Sequence, residues 1–402
     1  MSIQLDPSRQ IPRRAITLLS LAAFAQQTLV RVTDSLLPQI ASEFSTTVGA
    51  AAVVAAAYTL THGSVQLVVG PIGDRLGKYR TVTIACGICS LLVLFSAFTQ
   101  SLSQLAVARL SAGAMAAFVI PISMAFIGDV VPYEQRQEVL GRYLSGIMMG
   151  QLFGQAAGGI LGDLFGWRAV FFLIALLLAL AFAGLLRELA ANPVTRAPRA
   201  TDTQSASLLS QYSMVLRDPW ARKIMLIGLI ECGLMFGMLP FIGADLRLRF
   251  GLSYTAVGLI VACFAIGGLL YSATVHRLLA LLGQQGMARG GGMVLGGTLI
   301  VLALQPVWWF APAALVVCGF GFFMLHGTLQ TTATQMTPAA RGTAVGLFSS
   351  SLYFGQTLAI SAAAPIVDLY GAPVIFLAAA IVMPAIGFLF AYLLRRRGGR
   401  HA

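Results

Sequence analysis

The sequence predicts an all-α polytopic membrane protein: twelve transmembrane helices in two pseudo-symmetric six-helix bundles. Three observations carry this expectation. The 402 residues are 58% hydrophobic and only 10% charged, too few charges for a soluble domain of this size. Apolar stretches close to the roughly 20 residues that cross hydrocarbon recur along the chain. The second half also repeats the first.

The apolar segments lie near 15–37, 48–69, 80–99, 102–127, 141–162, 168–186, 222–243, 254–275, 288–304, 308–333, 343–366 and 372–394. Several contain Gly or Pro, which membrane helices tolerate. The repeat is read from residue matches. Leu37-Pro38 returns as Leu239-Pro240. A shift of 205 pairs Arg136 with Arg341, Gly141 with Gly346, Gly150-Gln151 with Gly355-Gln356, Asp163 with Asp368 and Phe171 with Phe376. A parallel repeat of six-helix units is a recurrent transporter architecture, with substrate bound between the units. The expected domains are residues 1–186, a linker over 187–219 and a second bundle over 220–402. Within the linker, Leu208, Leu209, Tyr212, Val215 and Leu216 have the spacing of a short surface helix, a disordered tether being the alternative.

The net charge of +12 invites a nucleic-acid reading, but its distribution opposes one. Of the 26 Lys and Arg residues, only Arg168, Arg247 and Arg249 fall on the face opposite the termini, while Arg31 and Arg109 fall inside segments. This positive-inside bias places both termini in the cytoplasm, with the lipid bilayer as the basic partner. Short loops suggest a bacterial inner membrane. The five cysteines fall in apolar segments and read as small apolar thiols, the Cys86-x-x-Cys89 pair included. Trp167, Trp308 and Trp309 stand at segment ends and read as interface anchors. No metal cluster, phosphate loop or nucleophile elbow is apparent, so neither an enzyme nor a cofactor is expected, and the driving energy must be a gradient.

Between the second and third segments runs Gly70-Pro-Ile-Gly-Asp74-Arg75-Leu-Gly77-Lys78, read as a tight turn at the membrane surface. It resembles the signature loop of the major facilitator superfamily of transporters. The resemblance implies that Asp74 faces the helix N-terminus near Gly342, where the macrodipole favours a carboxylate. It also implies that Arg75 and Lys78 engage Asp129. Gly70, Asp74, Arg75, Gly77, Lys78 and Asp129 then form a conformational latch. Arg109 with Gly113 is similar to the family's helix-4 motif. An arginine within a membrane segment is a functional candidate, and snorkelling to the interface is the alternative. Gly154-Gln155-Ala-Ala-Gly158-Gly159 resembles the antiporter motif, with Gln155 where that motif has proline. Gly146, Gly150, Gly154, Gly158 and Gly162 form a stripe that allows close helix packing.

The first segment places Gln27, Arg31, Asp34 and Pro38 on one face. Polar groups at that depth must face the bundle interior or a wet cavity. Some drug/proton antiporters of this superfamily carry an acid four residues before the same proline, the place of Asp34. Asp34 is therefore a proton-coupling candidate if Arg31 turns to a substrate, and a structural ion pair if Arg31 holds it. Glu231, mid-segment and without an acidic counterpart in the first half, is a second proton-coupling candidate. His62, Gln151, His326, Gln330 and Gln356 complete the substrate-binding candidates with Gln27, Arg31 and Arg109, interhelical hydrogen bonding being their ordinary role.

The expected function is alternating-access transport, as proton-coupled efflux of small organic compounds or drugs by a monomer. A carrier for a small organic anion using Arg31 and Arg109 is the rival within transport. A non-transporting scaffold or sensor is the rival outside it.

Overall fold

A computed structural model describes residues 11–196 and 208–398, and every regular element among them is helical. The first bundle comprises α1 (Arg13–Arg31), α2 (Leu37–Glu43), α3 (Val48–Ala51), α4 (Val53–Gln66), α5 (Val69–Leu76), α6 (Lys78–Ser96), α7 (Leu102–Ala116), α8 (Val119–Val130), α9 (Tyr133–Phe165) and α10 (Trp167–Ala191). Helix α11 (Leu208–Arg217) leads into the second bundle. That bundle contains α12 (Pro219–Phe250), α13 (Tyr254–Leu304), α14 (Phe310–Ala333), α15 (Arg341–Tyr370) and α16 (Ala372–Gly398).

Among the described residues, ten segments are long and apolar enough to cross a membrane, against twelve expected. The difference falls at two places. The first is α13, whose 51 residues would span about 76 Å if straight, more than twice the hydrocarbon thickness. Gly283 interrupts it at φ 61°, ψ 175°, a conformation essentially restricted to glycine, and the segments expected over 254–275 and 288–304 lie on either side. The second is α9. It is 33 residues long, but Arg136, Glu138, Arg142, four glutamines and its glycines dilute its apolar character.

The α9 glycines pack along the first transmembrane stretch in strict register. Gly146, Gly150, Gly154, Gly158 and Gly162 face Ser20, Phe24, Thr28, Val32 and Leu36. A Cβ on Gly154 would lie 2.7 Å from the Thr28 carbonyl oxygen, and one on Gly158 2.8 Å from that of Val32. The helices therefore run parallel at backbone contact. Thr28 Oγ1 donates to the Gly150 carbonyl at 3.1 Å, and Gln39 Nε2 to the Gly162 carbonyl at 2.9 Å. The second bundle repeats the device: the Leu229 carbonyl presses on Gly355, just as that of Phe24 presses on Gly150, 205 residues earlier.

The repeat is broken once, informatively. Phe24 and Leu229 are 205 apart, but Pro38 and Pro240 are 202 apart. The first bundle thus has three more residues between these points, about one turn of 3₁₀-helix. A 3₁₀ turn, Val32–Ser35, separates α1 from α2, whereas α12 is one helix through Pro240. Asp34 sits in that added turn.

Three sequence expectations are revised. The stretch after the second segment is mostly the helix α5, and the turn is confined to Gly77 at φ 89°. Trp167 is 1% exposed and donates through Nε1 to Glu43, so it is a core residue; Trp308 and Trp309 are exposed, as interface anchors would be. The sixth apolar segment, expected to end near 186, continues as α10 to Ala191. Of the linker, 197–207 lies outside the described residues, but α11 is the helix that its leucine spacing allowed. It bridges the bundles: Tyr212 donates to the Leu67 carbonyl, and Thr343 donates to Gln211 at 2.6 Å.

Candidate functional site

The 3₁₀ turn positions the centre of the site. Ending α1 at Arg31 leaves carbonyls of its last turn without helical donors. Arg109, from α7, meets one of them: Nη1 donates to the Leu29 carbonyl at 3.2 Å and Nε to that of Val54 at 3.4 Å. Its guanidinium lies 4.4 Å from the Tyr58 ring centroid, and the residue is 1% exposed. Arg109 therefore does not snorkel. It ties α1, α4 and α7 together beneath the broken helix.

Arg31 and Asp34 are both buried, with Arg31 Nη1 3.8 Å from Asp34 Oδ2. That is ion-pair distance but too long for a hydrogen bond. Arg31 faces the other bundle as well. Its guanidinium lies 4.0 Å over the Phe236 ring, and Nη2 donates to Gln356 Oε1 at 3.4 Å. Gln356 Nε2 continues to Cys232 Sγ at 3.7 Å. The backbone of Asp34 is itself at the inter-bundle seam, where a Cβ on Gly243 of α12 would come 2.5 Å from the Asp34 carbonyl oxygen.

Next in the chain to Gln356's partner Cys232, Glu231 is 0% exposed, and its Oε2 lies 3.0 Å from His326 Nδ1. The His326 ring is stacked 4.8 Å from Phe322. At the centre each bundle thus buries one carboxylate beside one basic neighbour, with Arg31, Gln356 and Cys232 running from one toward the other; Glu188 and Asp245 are buried as well, paired with Arg14 and Arg249. Asp34 Oδ2, Arg31 Nε and Glu231 Oε1 have no hydrogen-bond partner among the described residues. Buried polar atoms are ordinarily bonded, which sets these three apart as unsatisfied groups of one central cluster.

The other candidates divide. His62 is buried between Tyr58 and Tyr353, at 5.6 and 4.1 Å between centroids, on the seam of α4 and α15. Gln151 is buried, and Gln27 is half-buried. Gln330 is exposed, one turn beyond His326. Sequence reasoning passed over Gln155 as a motif departure, and over Phe236, Cys232 and Tyr58. Gln155 is fully buried beside Asp34. The available signal was a polar side chain among glycines that press against another helix.

Toward the face that bears the termini, Lys78 Nζ lies 2.5 Å from Asp129 and 3.7 Å from Asp74. Asp74 thus shares Lys78 with Asp129, and its side chain is two-thirds exposed. A Cβ on Gly70 or Gly342 would meet nothing within 4 Å. At the opposite face two carboxylates cross the seam in matching fashion. Asp368 accepts from the Gly49 amide at 2.8 Å and the Thr47 hydroxyl at 2.6 Å, at the start of α3. Asp163 accepts from the Thr255 amide at 3.2 Å and its hydroxyl at 2.8 Å, at the start of α13. Each acid caps a helix of the other bundle, where the macrodipole favours it. Between them, Gly159 and Gly258 bring α9 and α13 to backbone contact.

The sequence profile of the Major Facilitator Superfamily matches residues 19–360. Over 333 residues the chain is 24% identical to the uncharacterized MFS-type transporter YceJ of Bacillus subtilis, covering 82% of this chain and 83% of that protein. Over 150 residues, 37% of each chain, it is 33% identical to the multidrug resistance protein MdtG of Proteus mirabilis. Among solved structures, the nucleoside transporter NupG aligns with a TM-score of 0.73 at 14% identity, over 94% of this chain and 99% of that one. A POT family transporter in complex with a thioalcohol conjugated peptide aligns with a TM-score of 0.79 at 12% identity, over 95% and 96%. At such identities the likeness is one of fold.

Proposed function

Since the chain belongs to the Major Facilitator Superfamily of membrane transporters, we propose that it is a proton-coupled exporter of small organic compounds. It works as a monomer in a bacterial inner membrane, with both termini in the cytoplasm. The observation that carries this reading is the pair of buried carboxylates, Asp34 and Glu231, one in each bundle and linked through Arg31 and Gln356. A charge in hydrocarbon is retained only where it works or is paired, and neither acid is fully satisfied. The partial match to a multidrug resistance protein supports export of drug-like substrates.

In this mechanism a proton and the substrate compete for the central cluster. When Asp34 is ionised, Arg31 is held toward it. When Asp34 is protonated, Arg31 swings to Gln356 and the second bundle, and the grip between bundles changes. Glu231 and His326 form a second exchange point. Lys78 with Asp74 and Asp129 acts on the cytoplasmic side, and Asp163 and Asp368 latch the outer side. Alternating access is the alternate release of these sets.

The test is substrate-driven proton flux in vesicles. Asp34→Asn and Glu231→Gln should each abolish coupled proton movement while leaving substrate binding measurable. Coupling that survives both changes would remove the acids from the mechanism. One observation favours a second reading, an organic-anion carrier: Arg31 Nε has no hydrogen-bond partner among the described residues. In that case Arg31→Lys should lose anion uptake, because a lysine cannot reproduce a bidentate contact.

A further inference from the structure

A cavity of about 360 Å³ opens on the face that bears the termini, between the start of α12 and the end of α16. It is lined by Asp218, Pro219, Trp220, Lys223, Leu393, Arg396 and Arg397, and shares no residue with the cluster around Asp34 and Glu231. Three cations and one carboxylate share this small space. No carboxylate among the described residues lies within ion-pair distance of Lys223, Arg396 or Arg397. Asp218 is otherwise engaged: its Oδ1 accepts from the Trp220 amide at 2.8 Å and caps α12. The excess positive charge of the cavity is therefore not neutralised from within the described fold.

The geometry is also preorganised. The Arg397 guanidinium rests 4.4 Å over the Trp220 ring, and that of Arg396 lies 4.8 Å from the Tyr392 ring. Stacking fixes a guanidinium plane while leaving its N–H groups free to donate. Trp220 Nε1–H is shielded from solvent and has no acceptor among the described residues. An indole N–H is only a donor and wants an oxygen. Two forked cations and an ammonium around one cavity are the donor set of a phosphate group. The apolar Leu393 in the cavity wall, with Phe388 and Leu389 exposed on the preceding turn of α16, offers apolar surface for an acyl chain. Basic pockets between transmembrane helices near a membrane surface commonly hold anionic headgroups.

We propose that this cavity binds the phosphate of an anionic phospholipid headgroup, holding the ends of α12 and α16 together. A soluble phosphate compound shares the chemistry, and the test separates the two sources. Purified protein would be titrated with phosphatidylglycerol and with phosphatidylcholine in mixed micelles, and retained lipid counted by native mass spectrometry. Inorganic phosphate would be added as competitor. Wild type should retain phosphatidylglycerol preferentially. Each lining cation removed should weaken retention about fivefold, so that Arg396→Gln with Arg397→Gln weakens it about 25-fold. Trp220→Phe should weaken it without changing net charge.

The control removes the same charge outside the cavity: Arg222→Gln with Arg395→Gln, both exposed. It should leave retention intact and shows that the folded protein tolerates the loss of two cations. Equal weakening by the control pair, or no preference over phosphatidylcholine in wild type, overturns the proposal. Displacement of the lipid by inorganic phosphate at low concentration overturns the lipid assignment and leaves a soluble phosphate ligand. Resistance to that competition supports the headgroup.

Discussion

At the residue scale, two arginines deep in the first bundle do different work, and the reason is their partners. Arg109 spends its donors on the Leu29 and Val54 carbonyls and its face on Tyr58, all within one bundle. Arg31 divides its contacts among Asp34, Phe236 and Gln356, two of them in the other bundle. Replacing Arg109 with Met should leave two buried carbonyls short of donors, costing about 1–3 kcal/mol for each. Thermal unfolding should register that loss, and Arg109→Lys should recover only part of it, since an ammonium cannot fork between two helices. Replacing Arg31 with Met should impair transport and, because it strips the buried Asp34 of its partner, also lower the thermal midpoint, whereas Arg31→Met with Asp34→Leu, which removes both charges, should unfold close to wild type. Both arginines were legible as buried charges in apolar segments. Their division of labour was not, because carbonyls freed by a 3₁₀ turn leave no mark in sequence.

At the element scale, the glycine stripe of α9 gives graded predictions along one helix. A methyl at Gly146 would stand 3.6 Å from the Ser20 carbonyl, an ordinary contact. At Gly154 it would stand 2.7 Å from that of Thr28, where backbone must move. Gly146→Ala should therefore fall within about 0.5 kcal/mol of wild type. Gly154→Ala should cost about 1–3 kcal/mol, read as a drop in the thermal midpoint. The stripe itself was plain in the sequence, since a spacing of four on a helix makes one face. Its partner was not, because many helices could lie against a small-residue face. The two spans expected over 254–275 and 288–304 lie on either side of Gly283, and only backbone dihedrals reveal that they are joined by a bend rather than a loop. Helix α5 was read as loop because Gly, Pro and charged residues outweigh propensity over so short a stretch.

At the scale of the whole molecule, the seam between bundles is fastened on one face by two carboxylates at equivalent positions of the repeat. Asp163 and Asp368 were aligned from the sequence, and the fold shows each capping a helix of the opposite bundle. Neutralising both, as Asp163→Asn with Asp368→Asn, should weaken two caps by about 1 kcal/mol each and favour opening of that face. Spin labels placed beside these positions should report a longer distance between bundles. An unchanged distance would assign the seal to the Gly159–Gly258 contact alone. The two-bundle plan was readable because the repeat left residue matches. The choice of which acids cross the seam needed coordinates.

The added turn at Val32–Ser35 has a mechanical consequence. A 3₁₀ segment advances about 2.0 Å and 120° per residue, against about 1.5 Å and 100° in an α-helix. Rewinding its four residues would draw the Pro38 end inward by about 2 Å and twist it by about 80°. The first helix is thereby a screw with Asp34 on its thread, so a change in that one carboxylate can be delivered to α2 as displacement and rotation.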